Sequence, residues 1–432
     1  MEKDYQSTAR ECLDFIAGSV SAYHAVENVE KALKKNDFRE LLEEEDWDLH
    51  KGGSYYVKRN ASSILAFRIP EEEIKGFHIM ASHSDSPCFK VKPGSCMDVE
   101  GSYKKLDVEP YGGMIHATWL DRCLSVAGRI VYRKDGKLVS KTVNVDEDLL
   151  VMPNLAIHMN REMNKNLSYN PQTDLQPLIR AARREPDGED ILLEKVASWA
   201  EIDREQILGK DLFLYVREKG RLAGAEKELV VSPRLDDLQC VFASLKGFLK
   251  AGSGRHIAVC AVFDNEEVGS LTRQGAASTF LKDTLERTLE ALKACGHAYD
   301  YRRLLAGSFM ISADNAQGVH PNYTQKADPV NRPYLNQGIV IKYHAGQKYT
   351  TDAYSEAVMR DICREAGVCC QTYSNRSDIP GGSTLGNLCA GQVPVSCVDI
   401  GLAQLAMHSA VETAGAMDIV DLVRAAAVFF GQ

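Results

Sequence analysis

Several features are missing from this 432-residue sequence, and each absence removes a class of protein. No CxxC occurs: the 12 cysteines are scattered, and Cys369-Cys370 is the only close pair. That distribution argues against a disulfide framework or a cysteine-based zinc site and favours buried, reduced thiols. No block of Lys and Arg forms a binding stripe, and the formal charge is −9, so nucleic acid is not expected as the main partner. No apolar run approaches the roughly 18–20 residues that a membrane span needs, and no membrane partner is expected. The opening "MEKDYQSTARECLDFIAGSV" lacks a basic segment followed by an apolar one, so no signal peptide and a cytoplasmic location are expected. Prolines number only 14, and there is no internal repeat or low-complexity tract.

What remains is a globular composition, 44% hydrophobic and 26% charged, in a chain too long for one compact domain. Two domains are expected. The first forty residues carry apolar residues at helical spacing: Ala9, Cys12, Leu13 and Ile16, then Val26, Val29 and Leu33. Strand signals follow in "GGSYYVKR", "SSILAFRI" and "FHIMASHSD". From about Val91 to Val231 the texture changes to short strand-like pieces and turns, with a charged helical insert over roughly Leu178 to Leu208. After Ser232, helical stripes alternate with strands: "RHIAVCAVF" is a continuous apolar run typical of a buried parallel strand, and "SFMISAD" and "PVSCVDIG" read as further buried strands. The expected fold is α/β, a mixed sheet with helices on both faces built from residues 1–90 and 232–432. A β-rich domain, residues 91–231, interrupts it.

Ligands of α/β sheets collect at the carboxyl ends of strands. Residues at such ends form a short set: His83 and Asp85; Asp264, Glu266 and Glu267; Asp314 and, further on, His320. Asp236 and Asp237 sit at a helix start, and His408 and Glu412 lie near the C-terminus. Each has a plainer use: Asp236 as a helix cap, Asp314 in a turn, His408 as a hydrogen-bonded loop residue. In His83-x-Asp85 the two side chains share a strand face, so Asp85 can orient the imidazole. Together, two histidines and several carboxylates suit divalent cations. Asp236, Glu267 and Asp314 bring three negative charges, against the four positive charges of two divalent ions. A paired-metal site lowers the pKa of a bridging water and clamps an oxyanion, and it still needs a base that is not itself a ligand. Of two adjacent glutamates, one can face an ion and its neighbour the substrate.

The motifs "SHSDSP", "SPRLDDL", "FDNEEVGS", "HPNY" and "MHS" occur in the order found in the aspartyl-aminopeptidase family of binuclear zinc aminopeptidases. "SAYHAVENV", "REKGRLAGAEKELVVSPRLDDL" and "IVIKYHAGQKYTTDA" are similar to that family too, and the resemblance runs from about Ser21 to Glu412. It implies a metal-dependent release of single N-terminal residues from peptides, a zinc-exopeptidase fold interrupted by a dimerisation domain, and assembly as dimers and tetrahedral dodecamers. Position by position, it implies His83, Asp236, Glu267, Asp314 and His408 as metal ligands, with Asp236 bridging. It makes Glu266 the general base and Asp85 the partner of His83. The cofactor implied is two divalent ions per subunit, Zn²⁺ first, with Co²⁺ or Mn²⁺ also accommodated. Lys342, Tyr349 and His158 match substrate contacts of acid-preferring members, His158 reaching a neighbouring subunit's site. One departure stands out: "DNAQGVHPNY" places Gln317 where many members have a substrate-contacting histidine, which weakens an expected Asp/Glu preference. Competing readings are a paired-zinc carboxypeptidase, an N-acyl amino-acid deacylase, and a non-catalytic assembly protein with structural metals.

Overall fold

The computed structural model describes residues 2–165, 168–181, 190–294 and 300–432. The chain divides into two units. One comprises Met1–Asp85, Gly220–Met407 and Glu412–Gln432; the other comprises Ser86–Lys219 and His408–Val411. The second unit thus starts earlier and ends earlier than residues 91–231. Its first strand, Cys88–Val99, begins just after Asp85, whereas Arg221–Ala223 and Leu229–Ser232 pair within the first unit. The return of His408–Val411 was not foreseen.

The first unit is built on a nine-stranded sheet. Its four central strands, Ile257–Phe263, Phe77–His83, Phe309–Ala313 and Ser396–Gly401, run parallel in that spatial order. The first three are buried at every position, because each is a mainly apolar strand covered on both faces. Alternate residues feed opposite cores. Ala258, Cys260 and Val262 join Ala9, Val29, Leu238, Phe248 and Phe429, contributed by helices Glu2–Gly18, Ala22–Lys35, Leu235–Lys250 and Ala416–Gly431. Ile257, Val259, Ala261 and Phe263 join Phe280, Leu285 and Leu304 on the other face, from helices Phe280–Ala291 and Asp300–Ala306. Each fully buried Phe or Leu contributes roughly 1.5–3 kcal/mol. The register sets His83 beside Phe263 and Ala313 beside Ile400, so the carboxyl ends finish together. A third sheet of five short strands includes Ala316–Gln317, Ala403–Leu405 and Glu412–Gly415.

The second unit is an antiparallel sheet of seven strands that closes on itself, because Ile207–Val216 pairs with both Cys88–Val99 and Cys123–Lys134. Phe89, Leu106, Leu124, Ile130 and Leu212 fill it, and helix Ile191–Ala200 adds Leu192 and Val196. The "RKDGKL" turn joins Cys123–Lys134 to Lys137–Asn144 with Asp135 and Gly136 both at positive φ (49° and 78°), the hairpin conformation that Asp-Gly favours. The charged helical insert expected over Leu178 to Leu208 is corrected: strand Leu178–Ala181 opens it, the helix is confined to Ile191–Ala200, and its residues 182–189 lie outside the described residues. Leu178 and Arg180 belong to a strand because the edge of Tyr103–Tyr111 takes them as ladder partners. Among the described residues no helix is long and apolar enough to cross a membrane, and no disulfide joins the cysteines, of which Cys12, Cys240, Cys260, Cys363, Cys389 and Cys397 are buried.

Candidate metal centre

The parallel strands deliver their chemistry where they end. Strand Phe77–His83 ends on the imidazole, and Asp85 follows two residues on. Strand Ile257–Phe263 ends before Asp264; Asn265 then turns the chain at φ 63°, and Glu266 and Glu267 open one turn of 3₁₀ helix. Strand Phe309–Ala313 ends before Asp314. Asp236 comes from the first turn of helix Leu235–Lys250, where its backbone is extended rather than helical (φ −81°, ψ 110°). The helix start is occupied by Arg234 in the left-handed region, with no side-chain cap, so Asp236 is not the cap. Its amide instead donates to Glu412, 3.1 Å away.

These side chains converge. His83 Nε2 lies 3.5 Å from Asp236 Oδ1, and Nδ1 lies 3.4 Å from Asp85 Oδ1 and 3.1 Å from the Asp85 carbonyl oxygen. One ligand atom each from His83, Asp236, Asp237 and Asp314 fits within a 4.8 Å group, and so does one each from His83, Glu266 and Glu267. The Asp85 carboxylate also grips the glutamate turn. Its Oδ1 accepts from the Glu266 amide at 3.1 Å and its Oδ2 from the Glu267 amide at 3.2 Å. One side chain therefore orients the histidine and fixes the turn that carries both glutamates.

Burial makes this an electrostatically costly place. His83, Asp85, Asp236 and Asp314 are 1%, 4%, 3% and 8% exposed. Burial, with repulsion from Asp314, Asp85 and Asp236, pushes the Glu266 carboxyl up to about 8, although His83 offsets part of this. Glu267, Asp237 and Asp314 are also raised, burial first. Burial alone would lower His83, but Asp236 and Asp85 outweigh it and hold the imidazole well above its usual value. So many carboxylates crowded around one histidine fit a positively charged occupant, and imidazole with carboxylate oxygens is a donor set for zinc, cobalt or manganese.

Lys342, on strand Ile339–Tyr343, is buried beside this group. Its ammonium donates to the carbonyl oxygens of Asp314 (2.7 Å) and Asn315 (3.3 Å), and lies 3.8 Å from Asp314 Oδ1. Tyr349 is buried with its ring centroid 5.3 Å from the same nitrogen. Gln317 is exposed at the end of the short strand Ala316–Gln317. Of the other histidines singled out in the sequence, His320 and His158 enter none of the candidate metal groups among the described residues. His320 accepts from the Asn322 amide and packs on Tyr323. His158 is exposed in a turn of the second unit, and His408 belongs to the second unit, its Nδ1 2.5 Å from the Gly113 carbonyl oxygen.

Sequence reasoning missed the frame beneath the acidic group. Asn315 Nδ2 donates to the Leu235 carbonyl, Gln239 Oε1 and Gln404 Oε1; Gln404 Nε2 reaches Glu412 Oε1 at 3.3 Å, and Glu412 holds the Asp236 amide. Buried amides carry no spacing signal; the position of Asn315 directly after Asp314, and the acidic Glu412 near His408, were the pointers.

The family profile described as "Aminopeptidase I zinc metalloprotease (M18)" matches residues 15–430. A Clostridium acetobutylicum protein named "Probable M18 family aminopeptidase 2" is 45% identical over 414 residues, covering 95% of each chain. One of the same name from Ectopseudomonas mendocina is 37% identical over 422 residues, covering 97% of this chain and 96% of that protein. Among solved structures, the cryo-EM structure of the Ape4 and Nbr1 complex superposes with a TM-score of 0.95 at 36% identity, covering 100% of this chain and 86% of that one. The S. cerevisiae mApe1 dodecamer does so with a TM-score of 0.87 at 28% identity, covering 99% and 97%.

Proposed function

The chain belongs to the M18 family of zinc aminopeptidases, and from that premise we propose that it releases single N-terminal residues from peptides at the His83–Asp236–Asp314 centre with Glu266 as its base. The aminopeptidase class comes with the family; the residue roles are our reading. The observation that supports it most is the convergence of buried Asp236 and Asp314 on His83, which also lies with the half-buried pair Glu266 and Glu267. Two divalent ions, Zn²⁺ foremost, would be held by His83, Asp236, Glu267 and Asp314, with His408 as the further ligand that the family resemblance implies. When bound, such ions lower the pKa of a water and stabilise developing negative charge. Asp85 keeps the His83 ring and the glutamate turn in place. Glu266 accepts the proton of the attacking water and returns it to the leaving amine. Lys342 anchors the backbone around Asp314.

The resemblance at Lys342 and Tyr349 points to acidic N-terminal residues, whereas Gln317 leaves a cationic partner out of the same region. Self-association as a dimer and a tetrahedral dodecamer, with His158 serving a neighbouring subunit, and a cytoplasmic site of action belong to the same proposal. Support for association comes from the S. cerevisiae dodecamer and from the exposed apolar residues Leu155, Ile157 and Met159 around His158.

The test is Glu266→Gln. It should retain its metal content while hydrolysis falls by about 10²–10⁴-fold; near-normal turnover would remove Glu266 from its role. Chelation should abolish activity, with Zn²⁺ or Co²⁺ restoring it. Hydrolysis confined to N-acylated substrates or to C-terminal residues would favour the deacylase or carboxypeptidase reading. Full metal content with no hydrolysis of any peptide would favour the assembly protein.

A further inference from the structure

Lys342 is positioned to support the metal centre and has little left to offer a substrate. Its ammonium has three protons. The Asp314 and Asn315 carbonyl oxygens take two, and the Asp314 carboxylate lies on the third side at 3.8 Å. To bind a substrate carboxylate it would have to leave backbone that sets the position of Asp314, and those buried carbonyls would lose their donors.

The residue next to it is uncharged. Strand Cys370–Ser374 runs parallel to Ile339–Tyr343, and the register pairs Tyr373 directly with Lys342, so both side chains leave the sheet on the same face. The Tyr373 ring lies 6.4 Å from the Tyr349 ring. Its hydroxyl donates to Asn375 Oδ1 at 2.6 Å and stands 3.5 Å from Gln317 Oε1. Burial and the neighbouring Tyr349 push the Tyr373 phenol up to about 12, so it stays neutral at working pH. Two phenols and two amides thus form a connected cluster beside Lys342, with Gln317 on its exposed side. None of them carries a charge to offset a buried carboxylate.

We propose that Tyr373, steadied by Asn375 and Gln317, is a specificity-determining residue, and that the N-terminal side chain this site accepts is uncharged rather than Asp or Glu. An amide-and-phenol lining takes apolar and neutral polar side chains, and it leaves a carboxylate desolvated without a partner. The inference rests on the aminopeptidase reading and refines its substrate class.

The experiment is a kcat/KM panel on peptides beginning with Leu, Met, Gln, Ala, Asp and Glu, with the metal-replete enzyme and two variants. The wild type should favour Leu, Met or Gln over Asp and Glu by about tenfold or more. Gln317→Arg, at an exposed position, should narrow that ratio by about tenfold through faster turnover of Asp and Glu peptides. Tyr373→Phe should change the relative KM for Gln and Leu peptides while kcat moves less. A wild type that prefers Asp or Glu overturns the inference and leaves the aminopeptidase reading standing. So does an unchanged ratio in both variants. No hydrolysis of any peptide overturns the aminopeptidase reading instead.

Discussion

The two units differ in the charge they keep away from water. The first buries charge: His83, Asp85, Asp236, Asp237, Asp314, Lys342, Asp399 and Asp418 are all sequestered. Among its described residues, the second buries only Ser95, Ser125 and Gln176 as polar side chains between residues 86 and 219. Both leave large apolar side chains exposed, among them Leu155, Ile157 and Met159 in the second and Leu271, Val330 and Tyr354 in the first. Buried charge costs folding free energy, so it persists where chemistry needs it. Exposed apolar side chains weaken no fold, and they are what a protein partner covers. Concentration of buried charge in one unit, and its near-absence among the described residues of the other, is the division this difference teaches.

That division can be broken at several points. The largest effect is expected from Asp236→Asn in the charge-bearing unit: activity should fall by at least about 100-fold with loss of bound metal, while circular dichroism stays native. Retained metal and turnover would deny the buried carboxylates their purpose. Leu212→Ala, in the apolar core of the second unit, should cost about 2–5 kcal/mol in denaturant unfolding yet leave metal content per folded molecule unchanged. A fall in metal content at full folding would show that the division is not clean. Ile157→Asp combined with Met159→Asp should shift the mass measured by light scattering towards smaller species, with subunit stability changed by only about 0.5 kcal/mol. An unchanged mass would move the association surface elsewhere.

The smallest effect concerns His78, stacked between His256 and Phe429 with its Nδ1 3.0 Å from the Phe429 carbonyl oxygen. Burial, then His256, lowers its pKa from 6.5 to about 3. Below pH 6.5 the unfolded chain binds a proton that the folded chain refuses. The contribution of His78 is therefore intact above pH 6.5 and lost progressively as pH falls toward 3. His78→Gln should flatten the decline of Tm between about pH 6.5 and 4.5. An equal slope would assign that acid sensitivity to other groups.

Much of the first unit was legible in the sequence because parallel strands buried on both faces are mainly apolar runs, and the polar side chains gather at their ends. His83, Glu266, Glu267 and Asp314 could be found that way without any coordinates. The short strands Ala316–Gln317, Ala403–Leu405 and Arg221–Ala223 could not, since two or three residues carry no period and their partners are distant in sequence. The same reason displaced the unit boundaries, because Leu229–Ser232 looks like any strand of the β-rich unit until its partner Glu412–Gly415 is known. Asp236 was ambiguous because a carboxylate at a helix start usually caps. Only its extended backbone and the bond from its amide to Glu412 separate the two uses. Nothing in the sequence announced that Lys342 is tied to the carbonyls of Asp314 and Asn315.

The grip of Asp85 on both glutamate amides has a consequence for tolerance. Distances in most paired-carboxylate sites are set by separate elements, so their errors accumulate independently. Here the same carboxylate that faces His83 also holds the turn bearing Glu266 and Glu267, so a displacement of one carries the others along. Asp85→Asn would leave every proposed ligand in the chain but present an amide nitrogen to one of the two glutamate N–H groups. The spacing between the proposed base and a bound ion would thereby be an inherited dimension of one residue, separable in principle from the affinity for the ions themselves.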